Sequence, residues 1–275
     1  MSLKMKRVGF IGAGNMAEAM VRGLFSSGSF KKRDITLSDV DPERLSYMSS
    51  RYGVFTTPDN SETVMNSDVA IFSVKPQVLS HVCREVRNVA TTDKLYVSIA
   101  AGVRHSFIKK LIGREIKLAR VMPNTPSLVL EGASCVYFAE SFSEEEEKFV
   151  IKIFGSLGKA FRLENEELMD VVTAISGSGP AFVSMFIEAL SDGAVKMGLS
   201  RKLAIELAAQ TVLGTSKMIQ EGVGHPAEIK DMVTSPGGTT ASGIHSLERA
   251  SFRAAVISAV ESATNRSLEL SEEEE

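Results

Sequence analysis

The sequence predicts an α/β fold: an N-terminal doubly wound sheet over residues 1–164, an all-α dimerisation and substrate domain over 165–270, and an acidic tail over 271–275. Three observations predict it. Short apolar runs alternate with amphipathic stretches as far as Glu164, the pattern of strands alternating with helices. The run at 69–74, VAIFSV, is apolar almost throughout, as a parallel strand covered on both faces is. Beyond residue 164 the alternation stops, and helical patterns with little polar surface follow.

The first element, residues 7–20 (RVGFIGAGNMAEAM), reads as a buried strand, a glycine turn and the start of a helix. Gly12, Gly14 and Ala17 fit the G-x-G-x-x-G/A dinucleotide fingerprint, which marks the sheet as a Rossmann domain. Gly12 allows the tight turn, Gly14 lets the backbone approach a pyrophosphate, and Ala17 lets the helix pack close to the strand. The helix start offers unpaired N–H groups and a positive dipole end to phosphates. The second strand, 34–39, ends on Asp39, where this fold places an acid on the adenosine ribose hydroxyls. That carboxylate accepts from a 2′-OH and repels a 2′-phosphate, so it leans the cofactor towards NADH, with NADPH tolerated. Arg44 is the nearby cation able to reach a 2′-phosphate. The competing reading is that Asp39 caps the turn into a helix over 42–52.

Further units follow: helix 60–66, strand 69–74, helix 78–90, strand 95–99, helix 104–112 and strand 117–121. Lys75 follows a strand directly, which puts it on the ligand-binding edge of an open sheet. Residues 133–139 read as another strand, the acidic run 144–147 as a helix start capped by Ser143, and 159–164 as a last strand. Residues 166–198 carry a long helical pattern, apolar nearly all round from Ala181 to Leu190 and broken by SGSGP at 176–180. Helices over 201–221, 227–233 and 247–268 complete a domain that buries its core by dimerisation. The tail from Ser271 is expected to fray.

Composition excludes several classes. Charged residues are 24% and hydrophobic residues 44% of the 275, with a net charge of −3, which gives no reason to expect nucleic acid. No apolar run reads as long enough to span a bilayer, and MSLKMK leads directly into the first strand rather than a signal segment. Cys83 and Cys135, far apart in apolar surroundings, read as buried thiols of a reducing cytoplasm. His81, His105, His225 and His245 lack metal-ligand spacing, so no metal is expected.

Two loops carry chemistry. Ser176-Gly177-Ser178-Gly179-Pro180 does not match the G-x-S-x-G nucleophile elbow, which argues against a serine hydrolase. Ser235-Pro236-Gly237-Gly238-Thr239-Thr240 feeds a helix beginning near Ala241, a nest of N–H groups with two hydroxyls suited to a carboxylate. The plain alternative is a glycine-rich turn with a threonine cap.

GFIGAGNMAEA, VKPQ (74–77), SIAAGV (98–103), MPNTP (122–126), SGSGPAF (176–182), DGAVKMGL (192–199), IKDMVTSPGGTT (229–240) and SFRAAVI (251–257) together resemble the Δ1-pyrroline-5-carboxylate reductases, over essentially the whole chain. The resemblance implies the last step of proline biosynthesis, in which a cyclic imine takes a hydride and a proton to give L-proline. It implies that Ile11, Gly12, Ala13, Gly14, Asn15, Met16, Asp39, Asn60, Ser73, Val74, Lys75, Pro76, Ala100, Ala101 and Gly102 hold the cofactor. Asn60 falls near the adenosine end, and Lys75 and Ala100 by the nicotinamide. Glu166, Gly238, Thr239 and Thr240 hold the substrate, with Thr240 near the ring nitrogen and, with Lys75, catalytic. It further implies homodimers through interleaved C-terminal helices, assembled in many members into decamers, with loop 235–240 completing the partner subunit's site. Phe182 departs from the Tyr of many members, so any role of that hydroxyl is absent here.

A protonated imine is already electrophilic, so catalysis by positioning suffices, with reacting atoms about 3–3.5 Å apart. Two other readings compete. A 3-hydroxyacid dehydrogenase uses a lysine in the long helix, and here SGSGPAF stands there with no lysine before Lys196. A silent nucleotide-binding sensor would not need Gly238, Thr239 and Thr240 intact.

Overall fold

The structure, a computed structural model, describes residues 7–139 and 142–273; MSLKMK and the last two residues of the expected tail lie outside them. The strands are β1 (Val8–Ile11), β2 (Ile35–Ser38), β3 (Phe55–Thr57), β4 (Val69–Phe72), β5 (Leu95–Ser98), β6 (Lys117–Met122), β7 (Gly132–Phe138) and β8 (Gly158–Leu163). They form one sheet in the order β3-β2-β1-β4-β5-β6-β7-β8.

Successive side chains on the strands go to opposite faces, and each face has its own core. Phe10, Ile71 and Val97 pack on one side with Leu37 and Phe154. Ile11, Phe72 and Tyr96 pack on the other with Leu79 and Leu118. The helices of the sheet unit are α1 (Asn15–Ser26), α2 (Pro42–Tyr52), α3 (Asn60–Met65), α4 (Pro76–Val86), α5 (His105–Ile112) and α6 (Glu144–Gly155). Local chemistry sets their ends. Asp41 accepts from the Glu43 and Arg44 amides, Pro42 opens α2, and Gly53 (φ 67°) closes it in the left-handed conformation. Ser143 and Glu146 form a capping box at α6, as Ser143 predicts.

Two features differ from the expected parallel sheet. β7 runs antiparallel to β6. The link between them holds only the short 3₁₀ turn Thr125–Val129, and a parallel return needs a crossover of a dozen or more residues. β3 is an unexpected three-residue edge strand, too short and too exposed to show an apolar pattern. Cys83 is buried, and burial pushes its thiol up to about 12, whereas Cys135 is only half-buried.

The chain folds as two compact units, residues 1–177 with 263–275, and residues 178–262. The later helices are α7 (Met169–Val172), α8 (Gly179–Lys196), α9 (Arg201–Gln220), α10 (Pro226–Met232), α11 (Thr239–Arg249) and α12 (Phe252–Glu273). The expected break at SGSGP is instead a π-helical segment, Thr173–Ser178, joining α7 to α8. Thr173 and Ser176 donate back to the carbonyls of Met169 and Val172, and Pro180 sits in the first turn of α8, where its missing N–H costs little. The single helix expected over 247–268 is split before α12, with Ser251 at φ 58°. The end expected to fray from Ser271 continues as helix to Glu273, and Ser271 is buried.

Helix Glu166–Lys196 also corrects the reading that no run could span a bilayer. It is long and apolar enough by length and composition only, because its charges lie towards its two ends and leave an 18-residue window with at most two of them. Its apolar side chains stand exposed in the single chain, Met185 at 69%.

Phe72, fully buried, stacks against Tyr96 with ring centroids 6.3 Å apart. Phe72→Ala is expected to destabilise the sheet unit by about 3–5 kcal/mol, read from denaturant unfolding.

Candidate active site

Strand register builds the site. Ile11 pairs with Ser38 on β2 and with Phe72 on β4, and Phe72 pairs with Ser98 on β5. The four strands therefore end in one row. Asp39, Gly12–Gly14, Ser73–Pro76 and Ala100–Gly102 follow that row in order across three strand spacings, roughly 14 Å. Strand order reverses at β1, and open α/β sheets bind ligands outside the carboxyl ends at such a switch point.

The turn at Gly12 is a close approach of two backbones. Gly12 has φ 97°, and a Cβ there would lie 2.8 Å from the Ser73 carbonyl oxygen. Ser73 Oγ donates to the Gly12 carbonyl (2.7 Å), and the Gly12 amide donates to Ser38 O (2.8 Å). Gly14 is different. Its φ of −66° suits any residue, it is exposed, and a Cβ there meets nothing within 4 Å. Gly14 caps α1 with no side chain, so the first turn presents its N–H groups to whatever sits there. Ala13 is buried, Asn15 exposed and Met16 half-buried. Residues of this kind fit a pyrophosphate.

Asp39 is not the helix cap; Asp41 is. One Asp39 oxygen accepts from the Ala13 amide (2.7 Å) and the other from the Asp41 amide (3.0 Å), fastening the end of β2 to the glycine turn. Arg44 is engaged as well. Its guanidinium pairs with Glu18, donates to the Ala13 carbonyl, and lies 4.9 Å from the Tyr47 ring centroid. Burial pushes the Glu18 carboxyl up, but hydrogen bonds from Arg44, Tyr52 and Tyr47 outweigh it and hold it below the ordinary range.

Lys75 is exposed directly after the strand-end row and opens α4 with no side-chain cap. Val74 and Pro76 beside it are half-buried. Ala100 donates its amide to Ser98 Oγ (3.3 Å), Ala101 is exposed, and Gly102 turns the chain at φ 75°. Asn60 lies three residues past Thr57, which pairs in register with Ser38, and donates to Glu85 (2.6 Å).

Glu166 joins residues far apart in sequence. It accepts from the His105 amide (2.9 Å) and Arg120 Nη1 (2.6 Å), and pairs with His105 Nδ1. Burial pushes its carboxyl up, but hydrogen bonds from His105 and Arg120 prevail and set it at about 2. His105 and Arg120 escape a motif search; the available signal is a lone arginine inside the otherwise apolar stretch 118–122.

In the unit 178–262, Ser235 O accepts from the Gly238 amide (3.0 Å), with Pro236 and Gly237 (φ 68°) between, as in a type II turn. Gly238 then caps α11 with no side chain, and Thr239 and Thr240 form its first turn. This too is an open helix start suited to an anion. Among the described residues no group of three His, Cys, Asp or Glu is placed to hold a metal.

Sheet, switch point and glycine turn define the class: a dinucleotide-binding Rossmann protein. The model for NADP oxidoreductases, coenzyme F420-dependent, matches residues 7–102, and that for pyrroline-5-carboxylate reductase dimerisation matches 166–270. The chain is 45% identical to the pyrroline-5-carboxylate reductase of Methanosarcina acetivorans, over 96% of this chain and 98% of that one. Two solved structures, each 34% identical, are similar throughout. The pyrroline-5-carboxylate reductase of Coxiella burnetii has a TM-score of 0.93, covering 97% of this chain and 99% of that one. The Plasmodium falciparum pyrroline carboxylate reductase, solved with NADP bound, has 0.86, covering 98% of each. The chain belongs to the pyrroline-5-carboxylate reductase family.

A carboxyl whose pKa is depressed on folding contributes stability that is full above its unfolded value, near 4.5, and is lost as pH falls towards 2. The difference in unfolding free energy between wild type and Glu166→Gln is expected to hold steady above about pH 5 and to shrink between pH 4.5 and 2. Denaturant titrations across that range check it.

Proposed function

We propose that this chain reduces 1-pyrroline-5-carboxylate to L-proline, the last step of proline biosynthesis, with residues 1–164 binding the cofactor and 165–270 forming the dimer and binding substrate. The observation that carries the reading is the single row of strand ends holding Asp39, Gly12–Gly14, Ser73–Pro76 and Ala100–Gly102, in a chain related to these reductases over almost its whole length.

Gly12 to Met16 would seat the pyrophosphate at the start of α1, with Ile11 beneath. Asp39 and Asn60 would face the adenosine end. Ser73, Val74, Lys75, Pro76, Ala100, Ala101 and Gly102 would hold the nicotinamide half. When bound, the nicotinamide supplies the hydride. Glu166, Gly238, Thr239 and Thr240 would hold the substrate, and loop 235–240 would serve the site of the other subunit. The open N–H groups of α11 suit the substrate carboxylate. The Thr240 hydroxyl would orient the ring nitrogen, and the Lys75 ammonium would lie by the reacting centre. Thr240 is a poor acid by pKa, so its part is orientation rather than proton delivery.

A carboxylate at Asp39 and a guanidinium already matched by Glu18 support NADH as the preferred cofactor, with NADPH tolerated. The working unit is a homodimer, further assembled as a decamer, in the cytoplasm. An apolar groove of about 480 Å³ in the helical unit, lined by Phe182, Phe186, Val212 and Phe252, together with the match to a dimerisation family, supports covering of the exposed face by a second copy.

Initial rates with DL-pyrroline-5-carboxylate, followed by loss of reduced-nicotinamide absorbance with NADH and NADPH in parallel, test the reading. Turnover with both, and higher kcat/KM for NADH, is expected. Thr240→Ala is expected to lower kcat/KM about 10- to 100-fold, the worth of one hydrogen bond to a charged group. Wild-type kcat/KM in that variant would remove Thr240 from the chemistry. No turnover by protein that binds cofactor would point to another imine or carbonyl substrate, or to the sensor.

A further inference from the structure

Asp170 is a carboxylate the proposed chemistry does not use, and it is only 7% exposed. Burying a charge is costly unless hydrogen bonds compensate it. Its Oδ1 accepts from Ser267 Oγ at 2.6 Å, and Ser271 Oγ lies 3.4 Å from the same oxygen while donating to the Ser267 carbonyl (3.0 Å). Ser267 and Ser271 are one helical turn apart on α12, and both are buried. The bond joins residues 97 apart in sequence, all within the unit 1–177 with 263–275.

What this end of α12 packs against gives the contact its meaning. A Cβ built on Gly102 would come within 3.7 Å of Ser271 Oγ and 3.8 Å of Leu270 Cβ. The last turns of α12 therefore rest directly on the loop past β5. A purely apolar contact would let the helix slide; one residue is about 1.5 Å of axial shift. A buried oxygen that must be satisfied by a hydroxyl fixes the helix in rotation and in height.

We propose that Asp170 is a positioning residue of the reaction: through Ser267 and Ser271 it locks the end of α12 against Gly102 and so sets the height of loop 100–102 under the nicotinamide. This rests on the reading that the loop holds the nicotinamide half. Displacement of a reacting group by about 1 Å is enough to cost on the order of 100-fold in rate.

The test uses the full chain, with Ser267→Ala, Asp170→Ala and Asp170→Asn, and measures dissociation constants for NADH and for ADP-ribose, which lacks the nicotinamide. Ser267→Ala and Asp170→Ala are expected to weaken NADH about tenfold and to lower kcat, with ADP-ribose unchanged within about twofold. Asp170→Asn, which keeps an acceptor oxygen, is expected to recover most of the loss. Equal weakening of both ligands, or no change in either, would overturn the proposal. Should Asp170→Ala fail to fold, Ser267→Ala carries the test. A wild type that binds NADH no more tightly than ADP-ribose would instead overturn the placing of the nicotinamide, and the two failures are told apart by that wild-type ratio.

Discussion

The close approach of Gly12 to Ser73 is the constraint on which the carboxyl edge of the sheet depends. Two strand ends meet there with no room for a side chain, and the Ser73 hydroxyl returns to the carbonyls of Ile11 and Gly12. Asp39 holds the third strand end to the same turn through the Ala13 amide. Arg44 and Glu18 hold α2 against it, with Tyr47 and Tyr52 donating to Glu18. The turn is thus braced from β2, β4 and α2. α1 leaves it with an uncapped first turn, and the open helix start is the functional residue of all this bracing.

A second set of constraints surrounds the other end of the row. Glu166 ties the start of α5 to β6, and Asp170, one helical turn on, ties α12 to the same region. Asp170 is buried and Glu166 half-buried, and hydrogen bonds from distant elements meet both carboxylates, which fixes the geometry of the elements they join. Loop 100–104 lies between these attachments. Rigid elements on both sides of a loop are what a site for positioned hydride transfer needs.

Much of this was legible in the sequence, because strands, caps and the glycine turn are local. The helix expected over 42–52 matches α2 to the residue, since Asp41, Pro42 and Gly53 mark both ends chemically. Other features were not legible. The antiparallel β7 depends on the length of a link, which periodicity does not report. The π-helical segment at 173–178 looks like a break, because glycine, serine and proline signal turns unless side chains bond back to the helix. The distant partners of Asp39, Glu166 and Asp170 lie 26 to 101 residues away, and no local rule connects them. Asp39 itself stood out, but as an expected ribose ligand; in the structure its carboxylate accepts from the Ala13 amide and shapes the loop.

A Cβ at Gly14 would meet no heavy atom within 4 Å, so glycine at this place is expected to serve a ligand rather than the fold. Gly14→Asp separates the two. Aspartate is a good helix cap and its charge favours the start of α1, so the unliganded protein should melt at the wild-type temperature or above it. The same charge and bulk should exclude a pyrophosphate and weaken NADH binding by roughly 100-fold or more. The measurement is a calorimetric titration of NADH into both proteins, beside their thermal unfolding. An intact fold with lost binding is the predicted result. Unimpaired binding in Gly14→Asp would contradict the account.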